Sequence, residues 1–347
     1  MSGATASGLP GYAAATTLDA HLTGTPADRS GAVVAPRAAL RFAALGDSLT
    51  EGIGDPVPGG WRGWAALLAE GLGGTGQAVH FRNFAVAGAL SKDVHERQAA
   101  AAAEFRPDIA SVVVGVNDTL RHSFDIRRLA GRLEEVCALL SGGGAVLLTA
   151  CLPDPGTALG LPGPLRLPLA RRQQAVNAVV HDLSSRYDLV HLHASDRGWT
   201  EDRSLWSADR LHPAERGHRR LAAGFHLLLA ERGLAHGSPP EREPRRPPPS
   251  RAAAALWLAT RGTGWLARRS TDLLPGLLGL AAAEIGHRAL GTGGRLDARA
   301  DRALREALDA MSRTARVPHT GTGDDRTAGA PEHPVPRARG GGGRRTP

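Results

Sequence analysis

The chain of 347 residues predicts an α/β fold of three layers, with helices on both faces of a five-stranded parallel sheet. Three observations carry that expectation. Short apolar runs at 41–47, 79–86, 109–116, 144–152 and 187–194 have strand length and are flanked by turn residues. Helical patterns at 61–73, 90–104, 124–141, 168–186 and 214–232 separate and follow them. Strand and helix in alternation imply parallel strands joined by right-handed crossovers, and open sheets of this kind place their sites at the carboxyl ends of the strands.

The first strand, Arg41-Phe42-Ala43-Ala44-Leu45, stops at Gly46-Asp47-Ser48-Leu49-Thr50-Glu51-Gly52, where the glycines and Asp47 supply a sharp turn and a helix can begin. A serine there faces backbone N–H groups and the positive end of a helix, a setting for a nucleophile and equally for an ordinary N-cap. The second strand ends in Asn83-Phe84-Ala85-Val86-Ala87-Gly88 and the third in Gly115-Val116-Asn117-Asp118. The fourth leads into Pro153 to Pro168, rich in Leu, Pro and Gly, and the fifth precedes Asp209-Arg210-Leu211-His212-Pro213.

Acyl transfer needs a nucleophile, a base, a group that sets the base's tautomer, and donors aimed at the developing oxyanion. Asp209 and His212 are three residues apart, so in a turn the carboxylate reaches Nδ1 while Nε2 faces Ser48. Pro213 favours a helix start directly after the histidine. Gly88, lacking Cβ, lets its backbone approach a substrate closely. Singly, Asn117 reads as a turn cap, Gly88 as a turn residue and the Asp209–His212 pair as a surface cap.

Taken together, the four blocks resemble those of the SGNH, or GDSL, hydrolase superfamily, in order and spacing, over roughly residues 39–235. The resemblance implies a flavodoxin-like sheet and an esterase without metal or other cofactor. It implies Ser48 as nucleophile, His212 as base with Asp209 as its partner, and an oxyanion hole from Ser48, Gly88 and Asn117. From their positions, Asp47 and Asp118 are expected to support these residues, Asp118 by hydrogen bonds to nearby backbone. Transfer of the acyl group to an alcohol or amine, or a thioester substrate, would use the same site. The expected partner is a small ester; the acyl pocket is expected to be short, formed partly by Pro153–Pro168 with Trp61 or Trp206 contributing.

The net charge of +8 is confined to the tail: residues 239–347 hold nineteen Lys and Arg against eleven Asp and Glu, while residues 1–238 are formally neutral. Lys92 is the lone lysine. With no aromatic-interleaved basic groove and no helix-turn-helix pattern, nucleic acid is not an expected partner. Cys137 and Cys151 read as reduced core residues. His191-Leu192-His193 reads as a half-buried strand pair rather than a metal site. Gly71-Leu72-Gly73-Gly74-Thr75-Gly76 follows a helix and precedes a strand, the reverse of a dinucleotide site.

The organisation expected is a flexible segment at 1–38, the hydrolase domain at 39–236, a Pro/Arg-rich linker at 237–251, a basic helical extension at 252–316 and a disordered tail at 317–347. The pattern shows no secretory signal and no spanning helix, so the cytoplasm is expected. Peripheral membrane contact or scaffolding through 252–290, with Trp257 and Trp265 among arginines, is the alternative from another functional class.

Overall fold

The computed structural model describes residues 39–246, 252 and 263–314. The expected flexible segment, the disordered tail and the junction around Trp257 lie outside these residues. The chain opens with β1 (Ala39–Gly46) and α1 (Ser48–Glu51). A two-strand hairpin, β2 (Pro56–Val57) and β3 (Gly60–Trp61), leads to α2 (Gly63–Leu72) and β4 (Ala78–Asn83). A helical run follows, made of α3 (Ser91–Asp93), a π turn (Val94–Gln98) and α4 (Ala99–Phe105). Then come β5 (Ile109–Val113), α5 (Val116–Thr119), α6 (Ile126–Gly142), β6 (Val146–Cys151), α7 (Pro155–Ala158) and α8 (Gly163–Tyr187). The last strand is β7 (Val190–His193), followed by α9 (Arg197–Thr200) and α10 (Glu215–Glu231).

The sheet is five-stranded and parallel in the order β4-β1-β5-β6-β7, the flavodoxin-like order. Both faces of the central strands β1, β5 and β6 are covered, which is why these are nearly continuous apolar runs, whereas the edge strands β4 and β7 carry His80, Arg82, His191 and His193. Period two divides β1: Phe42 and Ala44 pack with Trp64, Leu68 and Phe225 of α2 and α10, whereas Ala43 and Leu45 pack with Leu133 and Val179 of α6 and α8.

One boundary differs from the sequence expectation in an informative way. Helix α8 starts at Gly163, five residues before the expected 168, with Pro162 as N-cap and Pro164 in the first turn, where a missing N–H costs nothing. Pro168 then sits buried inside the helix. At the other end α8 stops at Asp188, in the left-handed region at φ 48°, so β7 begins at Val190 rather than 187.

Two C-terminal helices, α11 (Thr263–Ala289) and α12 (Gly294–Thr314), pack on α8 and α6. Arg171 of α8 donates to Glu284 at 2.6 and 3.2 Å and to Asp297 at 2.5 Å, and Glu284 is 2% exposed. Ala307 and Met311 of α12 enter the same apolar cluster as Leu133 and Val179. Before α11, the chain is held as far as Arg246: Glu215, at the start of α10, accepts the backbone N–H groups of Arg245 (3.0 Å) and Arg246 (3.1 Å). Among the described residues no helix is long and apolar enough to cross a membrane.

Candidate active site

The turn after β1 is built by three residues. Gly46 has φ +152°, and a Cβ there would lie 2.3 Å from the Val113 carbonyl oxygen, so no side chain fits where the turn leaves the sheet. Gln98, buried in the π turn, accepts from Gly46 N at 2.8 Å and donates to Gly46 O at 2.9 Å. Asp47 caps α1, accepting from Leu49 N at 3.0 Å. Ser48 is thereby the first residue of a helix, at the carboxyl end of β1.

His212 comes from a closed loop. Trp206 and Pro213 form an antiparallel bridge, Ser207 N donates to His212 O at 2.9 Å, and Arg210 turns the tip at φ 57°. Gly54 lets the loop seat against the segment after α1: a Cβ at Gly54, whose φ is +106°, would lie 1.9 Å from the Pro213 carbonyl oxygen. His212 Nε2 stands 2.8 Å from Ser48 Oγ and its Nδ1 2.7 Å from Asp209 Oδ2. Asp209 Oδ1 accepts from Ser207 Oγ (2.7 Å), Leu211 N (2.9 Å) and His212 N (3.0 Å). Burial alone would raise the Asp209 pKa, but the hydrogen bond and charge of His212, with these donors, outweigh it and hold it down to about 2. An ionised Asp209 keeps the proton on Nδ1 and leaves Nε2 to accept from the serine.

Gly88 lies on the loop after β4, and Asn117 in α5, the short helix after β5. Gly88 has φ +81°, and neither its N–H nor that of Ser48 has a protein acceptor among the described residues. Asn117 Nδ2 donates to Asp47 Oδ2 and to Ala89 O, both at 3.2 Å. The amide is therefore held beside the serine turn and the Gly88 loop at once. Burial pushes Asp47 up to about 6, against the Leu49 N–H and the charge of His212, which pull it down. Asp118 accepts from Ser91 N (2.9 Å) and Ser91 Oγ (2.6 Å), tying α5 to the start of α3, just beyond Gly88.

All seven residues singled out in the sequence thus meet at one edge of the sheet. Residues 44–220 match the GDSL-like lipase/acylhydrolase family. The chain belongs to that family. A GDSL-like esterase of Mycobacterium tuberculosis is 32% identical over 201 residues, 54% of this chain and 60% of the relative, so the chain spans about 60% of the length of the curated relative it matches. Among solved structures, the acetylxylan esterase Axe2 of Geobacillus stearothermophilus is 18% identical, covering 60% of this chain and 97% of its own, at a TM-score of 0.46. The esterase EstA of a Pseudoalteromonas species is 15% identical, covering 55% and 97%, at 0.44.

In this GDSL-family chain, Ser48, Asn117 and His212 border two cavities. One, of about 60 Å³, is apolar and lined by Leu49, Val116, Leu152, Pro153, Trp199 and Trp206 among others. Trp206, with Pro153, Pro155 and Ala158 of the Pro153–Pro168 segment, lines this cavity. Trp61 does not: it sits in the hairpin, 44% exposed. Trp199 was not foreseen; it is buried, and its carbonyl accepts from Trp206 Nε1 at 2.8 Å. The other cavity, of about 50 Å³, is lined by Ile53, Gly88, Arg121 and Leu273. Leu273 belongs to α11, so that helix borders the same cavity as Ser48. Gln98 and Gly54 were also missed by the sequence reading: a polar residue within an Ala-rich helix and a glycine in a Gly-rich turn were their only traces.

Proposed function

We propose that this chain hydrolyses carboxylic esters through an acyl-enzyme on Ser48. The observation that carries this reading is the continuous relay from Ser48 Oγ through His212 to Asp209, at 2.8 and 2.7 Å. His212 Nε2 takes the Ser48 proton as Oγ attacks the carbonyl carbon. The oxyanion that forms accepts from the N–H groups of Ser48 and Gly88 and from Asn117 Nδ2, which turns one donor away from Asp47 or Ala89 to do so. On collapse, the imidazolium returns the proton to the leaving alkoxide. Water then repeats the sequence and releases the acid. Asp47 and Asp118 act as positioning residues, setting Asn117 and the Gly88 loop.

The two cavities divide the substrate. The small apolar one suits an acyl group of a few carbons, and the one bordered by Gly88 and Leu273 would take the alcohol side. An alcohol or amine entering that second cavity in place of water would make the same site a transferase.

Purified protein incubated with a fluorophosphonate should become labelled at Ser48, stoichiometrically. Its turnover of p-nitrophenyl esters should peak between acetyl and hexanoyl. Labelling at another residue would remove Ser48 from the mechanism. A peak beyond about twelve carbons would remove the short pocket.

A further inference from the structure

Four metal-ligating side chains converge away from the serine, where the sequence alone shows only a histidine pair. His191 and His193 are two residues apart on β7 and so point to one face of the sheet. The register of β6 sets Cys151 opposite His193 and Thr149 opposite His191. Helix α8 covers that face and contributes His181. The three imidazoles have centroids 4.5 to 4.9 Å apart. One ligand atom from each of Cys151, His181, His191 and His193 lies within 4.8 Å of all the others.

The structure assigns these four residues as a binding site for one zinc ion. The donor set, one thiolate and three imidazoles, is of the soft and borderline kind that zinc takes in tetrahedral sites. Bond lengths to zinc place tetrahedral ligands about 3.4 to 3.7 Å from one another. Cys151 Sγ and His193 Nδ1 are already 3.7 Å apart. The remaining separations, 4.8 Å at most, need to close by up to about 1.4 Å, a movement open to His181 and His193, which are exposed.

Two further contacts mark this as more than crowding. His191 Nε2 is buried and has no hydrogen-bond partner, while its Nδ1 lies 3.0 Å from Thr149 Oγ1. With the proton on Nδ1 donated to the threonine oxygen, the Nε2 lone pair is left for a ligand, the arrangement by which outer partners orient metal-binding histidines. Ser195 Oγ donates to Cys151 Sγ at 3.3 Å, a bond that would persist to a bound thiolate. On binding, the Cys151 thiol releases its proton to solvent and the imidazoles bind as neutral rings.

The consequence is mechanical. Zinc would staple the edge strand β7 to β6 and to α8. The residues that follow two of its ligands, Leu152 after Cys151 and Ala194 after His193, line the apolar cavity beside Ser48. The ion would hold one wall of that cavity without touching the reacting atoms.

The full chain, stripped with a chelator and dialysed, should bind one equivalent of zinc in calorimetry. With cobalt as probe it should show tetrahedral d–d bands and a thiolate-to-metal charge-transfer band. Cys151→Ser should abolish the charge-transfer band, and His191→Ala with His193→Ala should weaken binding at least about 100-fold. Thr149→Val, which keeps all four ligands and serves if those variants do not fold, should weaken it about 10-fold. His212→Ala should bind as the wild type does. Absence of stoichiometric binding, equal affinity in the double variant or in Thr149→Val, a cobalt spectrum without the thiolate band, or loss of binding in His212→Ala would each overturn the assignment.

Discussion

Gln98 grips Gly46 by both backbone groups, its Oε1 accepting from Gly46 N and its Nε2 donating to Gly46 O across 52 positions of sequence. The serine turn therefore hangs from a buried amide on a neighbouring helix rather than from its own residues alone. Gln98→Leu removes both bonds and leaves the Gly46 N–H buried without an acceptor. It should cost about 1–3 kcal/mol of stability. If the bond positions Ser48, fluorophosphonate labelling should also slow. Thermal unfolding and labelling kinetics on the same sample separate the two effects.

Asp209→Asn should keep the loop and lose the chemistry. The remaining oxygen can still accept from Ser207, Leu211 and His212, but the amide group would face His212 Nδ1 as a donor. That forces the proton onto Nε2, where it cannot accept from Ser48, and kcat should fall about 10⁴-fold. A drop of less than tenfold in steady-state assays would mean that Ser48 and His212 work as a pair.

Asp209 and Asp47 should impose opposite pH dependences on folding. Asp209 is held down to about 2, so its ionised form stabilises the fold; that contribution is complete above the ordinary carboxylate range and is lost as pH falls towards 2. Asp47 is pushed up to about 6, so the folded state keeps a proton that the unfolded chain has released, and stability falls as pH rises from about 4 to 6. Asp47→Asn should accordingly gain on the wild type in Tm between pH 4 and pH 7. A constant difference across that range would show that Asp47 titrates as an ordinary carboxylate.

Gly54→Ala should be far more costly than its size suggests. Its backbone is in the left-handed region and its Cβ would meet the Pro213 carbonyl at 1.9 Å, so the His212 loop must move. Both a lower Tm and a lower kcat are expected, the second because displacement of His212 lengthens its 2.8 Å contact with Ser48. Gly59→Ala, where an added Cβ meets nothing within 4 Å, is the matched control for the left-handed strain.

Leu273→Trp should narrow the cavity bordered by Gly88 and Arg121. Turnover of esters with bulky alcohols should fall while methyl esters with the same acyl group are spared. Equal losses on both, measured as kcat/KM, would place Leu273 outside the substrate's path.

The strands and the parallel sheet were legible from the sequence, and so were the local features around the seven candidate residues, because each rests on local physics. Apolar runs with a two-residue period make strands, glycine and aspartate make the turn before Ser48, and three residues of spacing let Asp209 reach His212. What only the tertiary structure decided are the contacts without a local period. Gln98 on Gly46, Gly54 under Pro213 and Ser91 on Asp118 each join segments whose proximity depends on how helices pack on the sheet. The same holds for Leu273, brought to the cavity beside Ser48 because Arg171 and Glu284 lock α11 onto α8. It holds too for His181 and Cys151, which complete a cluster of which the sequence displays only one strand. Local chemistry determines where a side chain can act; the packing of distant elements determines what it acts beside.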